Sequence, residues 1–275
     1  MIAPRSLWIA RLTFAEAVRA KFFNVLLLMA LVLVMLAGFF QRFDFGTSQL
    51  KFIVDFGFGA VFLLGSILTL VMTTQSFYQE LESRSITSIL ARPIHRWEYL
   101  LGKLLGVQAL LLIFCLLTGL ILAGLLTWEE RLVLSEESEA SAENVVKQSE
   151  VFLFLGVQWL RFSVLAALTL WIACLSRSSL YAMFVSFLAL LACQLQYLAA
   201  EMYADAETKA GLWFAWFLKT IVPNLQIYNI GDLLVLESVQ EPLNQSLIGS
   251  ILGYSVLWYF AFFILAILFF QDREV

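Results

Sequence analysis

Residues 22–40 read FFNVLLLMALVLVMLAGFF. The run holds no charge, and its apolar residues follow one another without alternating with polar ones. Coiled as an α-helix at 1.5 Å per residue it extends roughly 28 Å, close to the roughly 30 Å thickness of a bilayer's hydrocarbon core. Comparable runs stand at about 56–76, 99–127, 151–175, 180–200 and 247–270. Of the 275 residues 61% are hydrophobic, and the mean hydropathy is +0.88. A soluble interior has no room for so much apolar surface. In lipid, only helices and closed barrels satisfy every backbone group, and a barrel needs alternating strands. The expected fold is therefore all-α, a single polytopic membrane domain over 1–275 with six transmembrane helices.

Around these runs the chain is polar. Residues 3–20, PRSLWIARLTFAEAVRAK, place Leu7, Ile9, Ala10, Phe14 and Val18 on one side of a possible helix. Arg5, Arg11, Glu16 and Arg19 occupy the rest, and Pro4 suits a first turn. A basic amphipathic helix with Trp8 fits a membrane interface, and a plain cytosolic lead-in is the alternative. No A-x-A pattern follows the first run, so it reads as a retained anchor. The loop 128–150 is acidic and Ser-rich, as a solvated segment is. The longer loop 201–246 holds an apolar stretch from Gly211 to Val222, too short to cross and stopped by Pro223. It reads as a short re-entrant helix before the last span, with a second near 229–238. A seventh span is the rival topology.

Lys and Arg set the orientation. With six spans and the N-terminus inside, the inner segments hold Arg5, Arg11, Arg19, Lys21, Arg84, Arg92, Arg96, Lys103, Arg177 and Arg273. The outer loops hold Arg42, Lys51, Arg131, Lys147, Lys209 and Lys219, ten against six. Both termini are expected in the cytoplasm. The net charge of −4 says little about partners, and no nucleic-acid partner is expected. The single histidine, His95, excludes chemistry that needs several. Cys115, Cys174 and Cys193 lie in apolar runs at no metal or redox spacing and read as small buried hydrophobes.

Residues 77–106, FYQELESRSITSILARPIHRWEYLLGKLLG, join two runs on the inner side. Thr87 to Ala91 is helix-competent and partly apolar, and Arg92-Pro93 stops it because a residue before proline leaves the α region. A short amphipathic helix held between two membrane helices suits docking of a cytosolic partner, whose motion it would pass on as a lever. A plain connecting loop is the alternative.

This segment resembles the first cytoplasmic loop of ABC-2-type permeases, the membrane-spanning subunits of ATP-binding cassette exporters. There an acidic stretch leads to a helix, an R-P turn, a second basic residue and a G-K pair opening the next span. The matching positions are Glu80, Glu82, Arg84, Thr87, Leu90, Arg92, Pro93, Arg96, Trp97, Gly102 and Lys103, and Ser85 stands where the family usually has Gly. The resemblance implies that the segment near 79–98 carries the coupling helix, seated on a separate cytosolic ABC ATPase subunit. It also implies an N-terminal elbow helix, six spans, a short inner turn at 176–179 and re-entrant helices near Val222-Pro223-Asn224. A second permease chain, identical or homologous, and a prokaryotic plasma membrane complete what it implies. The chain has no GxxxxGK[ST], so ATP and Mg²⁺ are expected in the partner and no cofactor in this chain.

Inside the spans, Arg161 with Gln158 one turn earlier is either a functional site at membrane depth or a side chain snorkelling to the outer interface. Gln194 and Gln196 are read as interhelical polar groups, with a place on a pathway as the alternative. Gly102 and Gly106 form a GxxxG that would suit helix packing. A membrane-embedded enzyme would need paired catalytic groups at membrane depth, and none stands out. A stand-alone secondary transporter or channel would usually show inverted repeats or broken helices, which are weak here.

Overall fold

A computed structural model describes residues 3–40, 49–82, 95–136, 148–204, 213, 216, 222–231 and 245–271. Among them stand seven helices and no strand: α1 (Ala3–Arg19), α2 (Lys21–Phe40), α3 (Gln49–Glu82), α4 (Arg96–Glu136), α5 (Gln148–Leu175), α6 (Ser179–Ala204) and α7 (Gln245–Gln271). A 3-10 turn, Leu225–Tyr228, lies between α6 and α7. Helices α2 to α7 are each long and apolar enough to cross a bilayer.

The helices outrun the apolar runs that announced them. At 41 residues, α4 extends roughly 60 Å, about twice the hydrocarbon thickness. Its surplus passes through Trp128, Glu129 and Arg131, where a solvated loop was expected from 128, because these residues are compatible with helix and water can solvate them. Likewise α3 begins at Gln49 and ends at Glu82, so residues 79–82 of the expected coupling segment are the last turn of a membrane helix.

Three helices form the centre. α3, α4 and α5 are the most enclosed of the spans, while α2, α6 and α7 pack around them. Every residue from Arg161 to Leu170 of α5 is buried, as befits a helix apolar all round. Gly65 of α3 lets the Phe162 ring of α5 approach so closely that a Cβ there would lie 2.2 Å from it. The outer helices turn Val25, Leu28 and Val32, Leu180 and Phe184, and Val256, Leu257 and Phe260 outward, the side chains lipid would cover.

At Ala20 the chain turns from α1 into α2. The inner face of α1 is made of small residues, Ser6, Ala10, Thr13 and Ala17. It lies against Gly102 and Gly106 of α4, where added Cβ atoms would stand 2.9 Å from the Ser6 carbonyl oxygen and 2.8 Å from that of Ala10. The GxxxG is thus the seat of the elbow helix. Leu7, Trp8 and Leu12 face outward together with Arg5 and Arg11, an apolar and basic surface suited to an interface.

Both ends of the bundle can be traced. Tyr78 near the end of α3 meets the end of α5, and Arg96 at the start of α4 meets the end of α7. The elbow helix, the 176–178 turn and Gln271 therefore share one end, the near end. Residues 222–231 lie at the other, beside Gln158 and Gln194. A crossing between α6 and this stretch would have put it at the near end, so the six-span topology holds. Of the two short helices expected within 201–246, Trp213 and Trp216 of the first and Gly231 of the second fall in helical positions, and most of the rest lies outside the described residues.

Candidate functional site

The near end gathers polar side chains around the place where the chain leaves α3 and re-enters at α4. Lys103 Nζ of α4 lies 2.6 Å from Glu80 Oε1 of α3, and both side chains are closed off from solvent. An ion pair at this depth persists because each charge satisfies the other in a medium that solvates neither. Tyr99 stacks on Phe270 of α7 with centroids 5.9 Å apart, and Lys103 Nζ stands 5.8 Å over the Tyr99 ring. The Tyr78 hydroxyl reaches the carbonyls of Ser176 (2.8 Å) and Ala173 (3.2 Å), at the end of α5. Arg96 donates to the carbonyls of Phe270 (3.0 Å) and Gln271 (2.6 Å), a cation on the negative end of α7. Glu98 caps its own helix by accepting from the His95 backbone N–H at 3.1 Å.

Of the expected coupling residues, the buried Glu80 and Lys103 and the half-buried Arg96 therefore share one frame across α3, α4, α5 and α7. Glu82 ends α3, and its side chain lies outside the described residues, as do Arg84, Thr87, Leu90, Arg92 and Pro93. Tyr78 and Tyr99 were missed by sequence reasoning, since a tyrosine at the edge of an apolar run carries no sign of the carbonyl or ring it will meet.

Towards the far end stands a second polar group. Arg161 is 1% exposed, so it does not snorkel. Its guanidinium stacks on Phe62 of α3, 3.6 Å from the ring centroid, and Nη1 donates to Gln158 Oε1 at 3.4 Å. Snorkelling fails because α5 is one of the three central helices, and the guanidinium is covered by Phe62 of α3 and held by Gln158. Gln158 Nε2 donates to the Tyr228 carbonyl at 3.1 Å. Ser255 spends its hydroxyl proton on the Ile251 carbonyl, so Tyr228 is the donor in the 2.8 Å contact between the two hydroxyls. Burial pushes the Tyr228 phenol up to about 12, against the lowering effect of Ser255, which keeps it a neutral donor. Gln194 Nε2 of α6 donates to Gln226 Oε1, and the Tyr254 hydroxyl accepts from the Asn224 N–H at 2.6 Å. The 222–231 stretch is thus held to α5, α6 and α7 at four points.

Beneath it opens a cleft of about 490 Å³, lined by Asp55, Phe58, Phe62 and Phe154 and by the amides of Gln194, Gln226 and Asn229. Deeper, Ser163 donates to Gln108 Oε1 at 2.6 Å, joining α5 to α4. Gln108 was missed by sequence reasoning, although an amide within the 99–127 run was a signal that could have found it.

Six spans, an elbow helix seated on the fourth helix and a polar frame at the return from α3 describe a transport subunit. The profile of the ABC-2 family transporter protein matches residues 7–275. The chain belongs to the ABC-2 transporter family. It is a multi-pass membrane permease of an ABC transporter, and membership in this family implies association with an ABC ATPase. No curated protein matches the permease.

Proposed function

We propose that this permease is the membrane half of an exporter driven by separate ATPase chains, which bind ATP and Mg²⁺ and dock on the segment near 79–98. One observation carries the reading: the two ends of that segment are rooted in one frame of α3, α4, α5 and α7 through Glu80–Lys103, Tyr78 and Arg96. A push on the loop moves these helices together, because displacing one alone would strip a buried charge of its partner. Arg84, Thr87, Leu90, Arg92 and Pro93 are the proposed docking residues, with Glu82 at the root.

At the far end, the cleft under residues 222–231 is the proposed part of the pathway in this chain, with Gln194 on its wall and Gln158 and Arg161 behind it. A second permease chain supplies the opposing wall. The excess of Lys and Arg at the near end supports a cytoplasmic location for it and for both termini, in a plasma membrane.

The test is co-purification. The C-terminally tagged permease, extracted in mild detergent from cells that express a candidate ATPase, should bring that ATPase down in equal amounts. Changing Leu90 to Asp and Arg92 to Glu should remove it while leaving the permease folded. If the ATPase is retained by the doubly changed chain, docking on this segment is wrong.

A further inference from the structure

At the far end, between α2 and α4, runs an apolar groove of about 560 Å³. Its floor is opened by a glycine of α4: a Cβ on Gly124 would meet nothing within 4 Å, so that residue looks into open space, while Gly38 of α2, also in the lining, packs on Leu125, 3.1 Å from where its Cβ would be. Phe39 and Leu125 form the walls, and Trp128 stands at the rim with 67% of its surface exposed. Into this lining reaches one charge. Glu129 Oε1 lies 3.6 Å from where a Gly38 Cβ would be, over the end of the groove. Glu129 makes no hydrogen bond or ion pair among the described residues. It is the first charge on α4 after the uncharged stretch 104–128, where apolar residues give way to Glu129, Glu130 and Arg131.

A carboxylate at the mouth of an apolar trough between two membrane helices asks for an occupant with a cation at one end and hydrocarbon along the rest. Lipid is what meets this surface, and the carboxylate decides which headgroup. We infer that the groove is a binding site for a phospholipid with a primary-ammonium headgroup, in the far leaflet. The acyl chain lies along Gly38 and Gly124, and the ammonium donates N–H bonds to Glu129. A quaternary choline headgroup brings the charge but no N–H donor, and a glycerol headgroup brings no cation, so both bind less well. Trp128 sits at the headgroup level, where an indole is favoured.

The experiment is native mass spectrometry of the full-length permease released from nanodiscs holding equal parts of phosphatidylethanolamine, phosphatidylcholine and phosphatidylglycerol. The wild type should retain phosphatidylethanolamine above the other two. Glu129→Gln, nearly isosteric and at the water boundary, should lower that preference about fivefold, the most an exposed ion pair contributes. Gly124→Leu should fill the trough and reduce retention of all three, with a thermal midpoint near that of wild type to show that the fold is kept. Equal retention of the three lipids by wild type, or an unchanged preference in Glu129→Gln, would overturn the assignment. So would a lipid-free pair of chains that Gly124→Leu separates, which would give the groove to a second copy.

Discussion

Glu80 and Lys103 form a buried ion pair 2.6 Å long between the last turns of α3 and the first turns of α4. The pair joins the outgoing and returning helices at the point where a docked partner would push. Replacing Lys103 by Met leaves the Glu80 charge enclosed with its main partner gone, a loss of about 3–5 kcal/mol. Replacing Glu80 by Gln as well should restore much of it. Thermal unfolding of the two single variants and the double in one detergent would measure the coupling. Additive losses would mean that the two charges do not support each other.

Gly106 touches the elbow helix at the Ala10 carbonyl and at Thr13. Gly106→Leu should push α1 off α4 and cost about 1–3 kcal/mol, as overpacking does. A fluorophore on a cysteine at position 8 should become more mobile in the variant. If its anisotropy does not change, α1 holds its place by contact with lipid rather than with α4.

Arg161 lies over the Phe62 ring, 3.6 Å from its centroid, and hydrogen-bonds Gln158. Lysine keeps the charge but not the plane or the fork of donors. Arg161→Lys should therefore lower both the thermal midpoint and the ATP-driven transport rate, and Arg161→Met should lower transport further. Transport equal to wild type in both variants would leave Arg161 a packing residue only.

The three native cysteines are buried, so a cysteine introduced at the surface can be read against a quiet background. Ile227, 39% exposed in the 3-10 turn, should when changed to Cys react in whole cells with a membrane-impermeant maleimide. Gln271→Cys should react only after the cells are opened. Labelling of Gln271→Cys from outside would reverse the orientation drawn from the basic residues.

Residues 222–231 are tied to α6 through Gln194 and Gln226. Gln194→Ala should loosen them, raising the labelling rate of a cysteine at 227 by about fivefold, which corresponds to a net hydrogen bond of roughly 1 kcal/mol. An unchanged rate would show that Gln158 and Tyr254 hold the turn without help.

The frame at the near end was half legible beforehand. Glu80, Arg96 and Lys103 stood in a recognisable spacing, yet nothing in the spacing paired Glu80 with Lys103 or sent Arg96 to the carbonyls of Phe270 and Gln271, 174 and 175 residues away. Arg161 shows the same limit. From the chain alone it stood inside the run 151–175, read either as a functional site at membrane depth or as a side chain reaching the outer interface. In the bundle it sits on one of the three central helices, with its guanidinium over the Phe62 ring of another.

What the sequence by itself determined is the all-α membrane fold and its six long crossing runs; that the short stretch 211–222 adds no seventh was decided by where the structure places residues 222–231. Whether a run of residues enters lipid depends on its own composition and length against a hydrocarbon layer of fixed thickness, and both are local properties. Only the tertiary structure decided which helices are central, where the elbow helix sits and which polar groups meet. Those outcomes rest on contacts between residues far apart in the chain, and a buried charge or amide finds its partner only when the helices have packed.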